Sequence, residues 1–139
     1  MDMTDYNTNL AGEFYVLSAL HRKGIDAYLT LGNKKACDIV AIRADRTSVS
    51  VEVKTVAGQH DWRVGNLETE HPNSHFVGLV SFEGNISDTS RSPAVWIVPF
   101  TKLPPFLRVY EGAKNVSRAE ILKSGQIYAN AWGFVSGEI

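Results

Sequence analysis

The chain has 139 residues, 44% of them apolar and 21% charged, and a formal net charge of −1. These are the proportions of an ordinary globular protein long enough to bury a real core, neither disordered nor fibrous. They exclude a membrane-spanning chain, since no apolar run approaches the ~20 residues a bilayer needs, and the single cysteine, Cys37, excludes an internal disulfide framework.

The start, Met1-Asp2-Met3-Thr4-Asp5, lacks the basic and apolar blocks of a secretory signal. One domain over residues 1–139 is therefore expected, in the cytoplasm. Charge near zero means that any affinity for nucleic acid is local, modest and lost as salt rises.

The first predicted element is a helix from Thr8 to Lys23, with Thr8 or Asn9 as its cap. Arg22 and Lys23 suit the negative end of its dipole, and Gly24 suits its stop. Leu10, Phe14, Leu17 and His21 fall on one stripe and are its predicted buried face. Asp26 to Leu31 reads as a strand, Gly32 to Lys35 as a turn and Asp38 to Arg43 as a second strand. After the tight connection Ala44-Asp45-Arg46, the run Thr47 to Thr55 alternates. Val49, Val51 and Val53 take one face, and Ser48, Ser50, Glu52 and Lys54 the other.

Thr55 to Ser74 has a poor pattern and reads as loop with at most one helical turn. Phe76 to Phe82 and Ala94 to Val98 are nearly all apolar and read as buried strands. A short helix over Ser117 to Lys123 has capping-box spacing between Ser117 and Glu120, and Gly125 stops it. One leading helix, several strands and later helices predict an α/β or α+β domain with a mixed sheet.

Glu52 and Lys54, two apart on a strand, point to the same side. Taken alone, Val-Glu-Val-Lys is also what any half-solvated strand looks like. Asp38 adds a second carboxylate. With a three-residue loop, Arg43 pairs with Thr47 and Asp38 falls opposite Glu52, Cβ atoms ~4.5–5.5 Å apart. A two-residue loop would put Asp38 on the valine face, where an unpaired carboxylate is costly. Carboxylates ~4 Å apart at an effective dielectric of ~20 repel by about 4 kcal/mol. A divalent cation removes that cost, and oxygen ligands suit magnesium; Lys54 or another base is the alternative neutraliser. Glu13 lies at the margin of the helical apolar stripe, so it either finds a partner or reaches solvent.

Gly12-Glu13 on a helix, Cys37-Asp38-Ile39-Val40 and Val51-Glu52-Val53-Lys54-Thr55 on adjacent strands resemble the PD-(D/E)XK nuclease superfamily, over about residues 10 to 60. The blocks look like those of restriction-endonuclease-like and Holliday-junction-resolvase-like bacterial members. The resemblance implies a mixed central sheet flanked by helices and metal-dependent hydrolysis of DNA, before RNA, with Mg2+ or Mn2+. It implies Asp38 and Glu52 as metal ligands, Lys54 positioning the attacking water and stabilising phosphate charge, and Glu13 supporting a metal or its water. Cys37 stands where the eponymous proline would be, and the helix expected after Lys54 is not evident in Ala57 to Ser74.

Arg22, Lys23, Lys34 and Lys35 are candidate contacts to a phosphate backbone, or ordinary surface charge. Gln59 is a candidate polar contact. Trp62 reads first as a core residue and, if exposed, as a platform for stacking on a base. His60, His71 and His75 with Cys37 match no usual zinc spacing, and Ser48 or Ser50 has no evident base. A homodimer would let two single-strand sites cut a duplex. Two other readings stand beside the enzyme: a non-catalytic nucleic-acid-binding module that kept the fold, and a protein-binding domain with a merely polar strand face.

Overall fold

The computed structural model describes residues 3–30, 38–65 and 74–139. It opens with α1 (Met3–Arg22), which begins before the predicted caps Thr8 and Asn9. Gly24 ends it in the left-handed region (φ 78°). There the Gly24 and Ile25 amides turn back to the carbonyls of His21 and Leu20, at 2.9 and 3.0 Å, satisfying groups that a helix end leaves orphaned.

The buried face of α1 is not the predicted stripe. Thr8, Val16 and Leu20 are buried, Leu10 and Leu17 are half-buried, and Phe14 is 52% exposed. The helix carries apolar residues on two sides, and close approach decides between them. Gly12 lies against Thr55 so tightly that a Cβ at position 12 would collide with the threonine side chain. Only the face containing Gly12 lets the helix axis come that near the sheet.

The main sheet has strands β1 (Asp26–Leu29), β2 (Ile39–Ile42), β3 (Ser48–Val56), β5 (His75–Ser81) and β6 (Ala94–Pro99), in the order β1-β2-β3-β5-β6. β3 and β5 are parallel and the other neighbours antiparallel. This is a mixed α/β architecture of the expected class. The β2–β3 register pairs Ile39 with Val51 and Ile42 with Ser48, and the Arg43 amide donates to the Thr47 carbonyl at 2.8 Å. That is the three-residue loop, with Arg46 at φ 72° making the turn.

Beneath α1, Val49, Val51 and Val53 pack with Val16, Leu20, Ile39, Ala41 and Val135. The opposite face is covered by the expected helix after Ser117 and by strands that the sequence left unread. A second sheet, ordered β4-β8-β7, consists of β4 (Trp62–Arg63), β7 (Leu107–Tyr110) and β8 (Ala113–Val116). Trp62, Val116, Leu103 and Ile121 close over Val77, Leu79 and Val98. α2 (Arg118–Ser124) starts at Ser117, whose side chain accepts the Glu120 amide at 3.2 Å as expected from the spacing. α3 (Gly133–Ser136) follows. No helix among the described residues is long and apolar enough to cross a membrane. The predicted turn Gly32 to Lys35 lies outside the described residues.

Candidate active site

Continuing the β2–β3 register by one pair sets Asp38 opposite Glu52, on the sheet face away from the buried valines. The ladder ends there. The Asp38 amide donates to Val51 O at 3.2 Å, while the Val53 amide donates to Asp38 Oδ2 at 2.7 Å rather than to a strand carbonyl. Glu13 comes from α1 on the other face, yet lines the same open groove of about 1110 Å³ as Asp38, Glu52 and Lys54. The close approach of Gly12 to Thr55 brings it there.

Glu52 is 3% exposed, not half-solvated as the alternation implied. Lys54 Nζ lies 3.2 Å from its Oε2, and His75 Nε2 lies 3.4 Å from its Oε1. His75 reaches this position through the parallel β3–β5 register, which pairs it with Ser50. Ser50 Oγ and His75 Nδ1 are 2.6 Å apart. Burial would raise the Glu52 carboxyl, but the His75 and Lys54 contacts outweigh it and hold the group below its usual range. Asp38 goes the other way. Burial lifts it, the Val53 amide opposes, and the negative charge of Glu52 lifts it again. Glu13 is also raised, by burial and then by Asp38.

Three carboxyl groups that feel one another and a partly buried lysine are the donor types that suit a hard, oxygen-seeking cation. Glu52 Oε1 is buried without a well-formed hydrogen bond among the described residues, so it keeps acceptor capacity. Among those residues no three His, Cys, Asp or Glu side chains stand close enough to form a ready-made metal cage. The donor types suit such a cation, and its shell would need oxygens beyond these side chains.

The other predicted contacts do not gather here. Trp62 is fully buried, its indole N–H donating to Val80 O at 2.9 Å and its ring edge-on to Trp96, so it serves the core and offers no stacking platform. Arg22 and Lys23 are exposed at the far end of α1, beyond Glu13, the last helix residue to line the groove. Gln59 is exposed but does not line the groove. Lys34 and Lys35 lie outside the described residues, as do Cys37 and His71 of the imagined zinc set. Ser50, read as lacking a base, has His75 beside it. Sequence reasoning missed His75 as a partner of Glu52, and also Arg63 and Asn115, which line the groove. The signal for His75 was a titratable residue heading the apolar run Phe76 to Val80.

No protein-family model matches the sequence, and no curated protein is similar enough to match it. Among solved structures, a bacterial homing endonuclease, I-Ssp6803I, matches with a TM-score of 0.59 at 12% identity, over 97% of this chain and 93% of that one. The chain thus has a nuclease-like α+β fold.

Proposed function

We propose that this chain is a metal-dependent DNA endonuclease of the PD-(D/E)XK type, working as one cytoplasmic nuclease domain. The observation that carries the reading is the arrival of Glu13 from α1, Asp38 from just before β2, and Glu52 and Lys54 from β3 in a single open groove. The fold match to a homing endonuclease supports it across nearly the whole chain. Asp38 and Glu52 would hold Mg2+ or Mn2+, with Glu13 supporting the metal or its water. When bound, such an ion supplies Lewis acidity and a bound water of lowered pKa.

The chain's own groups do the rest. The 2.7 Å bond from Val53 N–H fixes the Asp38 carboxylate. His75 and Lys54 keep Glu52 ionised in a buried setting. Lys54, 24% exposed at its side chain, is the cation that meets the phosphate and positions the attacking water. Binding DNA would draw Lys54 from Glu52 toward the phosphate, releasing that carboxylate for its ligand role. Two copies, each cutting one strand, would sever a duplex.

A cleavage assay over duplex, single-stranded and branched DNA and RNA, with magnesium, with manganese and with chelator, tests this. Metal-dependent cuts that vanish in Glu52→Ala are expected. A second reading, a non-catalytic DNA-binding module, draws on the pairing of ionised Glu52 with Lys54 and on the lack of a three-ligand cage among the described residues. It expects no cuts under any condition.

A further inference from the structure

The groove poses an electrostatic problem for a nucleic-acid ligand. Among the described residues, five carboxylates line it against two permanent cations, Lys54 and Arg63. Lys54 is already engaged by Glu52 at 3.2 Å. A polyanion entering over this floor is repelled unless the wall supplies positive charge. Arg63 is exposed and makes no ion pair or side-chain hydrogen bond among the described residues.

The register of the second sheet shows what stands beside it. Arg63 pairs with Asn115 on β8, and Asn115 pairs with Arg108 on β7. Paired residues share a face, so Arg63, Asn115 and Arg108 form one row across three strands, spanning about 9–10 Å at the usual strand spacing. The neighbouring row, Trp62, Val116 and Leu107, turns to the core, which holds the polar row outward. Arg63 and Asn115 lie in the groove. Arg108 lies beyond it, tied to Glu120 at 3.3 Å and to the carbonyls of Leu107 and Pro105.

We propose that this row, with Arg63 and Asn115 as the contacting residues, anchors the DNA backbone beside the phosphate presented to Lys54. The occupant is duplex DNA. The Arg63 guanidinium is the groove cation that no carboxylate among the described residues already holds, and the Asn115 amide is a neutral donor to a phosphate oxygen. Arg108, held by Glu120, stiffens the row. The assignment takes its ligand from the nuclease reading but not its chemistry, since an anchoring wall works whether or not the groove cuts.

The test measures binding of short duplexes of several sequences, in chelator, across ~50 to ~200 mM salt, together with cleavage in magnesium. Arg63→Ala should weaken binding about tenfold, equally for every sequence, and lower the salt slope by roughly one. Asn115→Asp should weaken it at least as much, while Arg22→Ala, losing the same charge far from the groove, should not. Melting temperatures show whether each variant is folded, and Asn115→Ala, with no added charge, serves if Asn115→Asp is not. Wild-type affinity in Arg63→Ala and in both Asn115 variants overturns the anchor, as does an equal loss in Arg22→Ala. A loss confined to one sequence overturns backbone anchoring. Cleavage that survives with unchanged binding leaves the nuclease without this wall. Binding through the row without cleavage in any metal leaves the wall without the nuclease. A wild type that binds no DNA ends both.

Discussion

The Asp38 carboxylate accepts the Val53 amide at 2.7 Å, so the residue that ends the β2–β3 ladder is also the one proposed as a metal ligand. Its backbone bond and its charge oppose each other. The bond favours the ionised form, while burial and the neighbouring Glu52 disfavour it, and the net shift is upward.

Asp38→Asn keeps an acceptor for Val53 and removes the charge. Asp38 and Glu13, both raised, hold their protons more tightly folded than unfolded. Their contribution favours folding below their ordinary values of 3.8 and 4.5 and is lost as pH rises through the raised ones. Glu52, lowered, contributes stability present above 4.5 and lost as pH falls through its depressed value. Without metal, Asp38→Asn should therefore melt above the wild type at neutral pH, the gap closing in acid. Magnesium at ~100 times its dissociation constant should stabilise the wild type by about 2.7 kcal/mol, roughly 5–10 °C, and the variant hardly at all. Melting curves against pH, with and without metal, decide it; a variant less stable than wild type at every pH sinks the argument.

Lys54→Ala separates chemistry from binding. If the ammonium meets the phosphate in the transition state, cleavage should fall about 10²–10³-fold, a loss of ~2.7–4 kcal/mol. Metal-induced stabilisation should persist, since lysine is not a ligand. Single-turnover rates at saturating DNA measure this, and undiminished cutting would remove Lys54 from the mechanism.

His75→Phe should destabilise the protein whether or not it is an enzyme. It strips one partner from buried Glu52 and leaves Ser50 Oγ without its 2.6 Å contact. An orphaned buried polar group costs about 1–3 kcal/mol. Part of the loss should disappear in a Glu52→Gln background, where no charge needs neutralising. An equal loss in both backgrounds, by denaturant titration, would mean that Glu52 is not the group His75 serves.

Gly12→Ala should cost about 1–3 kcal/mol as an overpacked contact. Thr55 sits on the central strand β3 and cannot simply swing aside. Replacing Thr55 with glycine in the same chain should recover part of the melting temperature, and no recovery would place the strain elsewhere.

The acidic pair was legible because its determinants are local. A clean alternation from Ser48 to Lys54 and a three-residue loop fix the register, and register fixes which residues share a face. The buried face of α1 was not legible, because Gly12 competes with Phe14 only through Thr55, more than forty positions away (55 − 12 = 43). His75 looked like a stray imidazole until a parallel pairing set it beside Ser50 and Glu52. The β7–β8 hairpin hid for a different reason. Arg108, Lys114 and Asn115 give its strands a polar look, and their burial depends on Trp62 arriving from β4.

That mixture of near and distant pairings sets an order of assembly. Asp38 and Val53 are 15 positions apart, within one hairpin, whereas Ser50 and His75 are 25 apart and meet only after a crossover. Loop closure grows costlier with separation, and parallel pairing is intrinsically slow. The shorter closure is thus expected to bring the two carboxylates together first, with His75 reaching Glu52 when β5 docks. During refolding the hairpin carries its repulsion with Lys54 as the nearby counter-charge. If these carboxylates take a divalent cation as proposed, magnesium should speed the early phase of refolding as well as stabilise the product, which stopped-flow refolding with magnesium and with chelator measures.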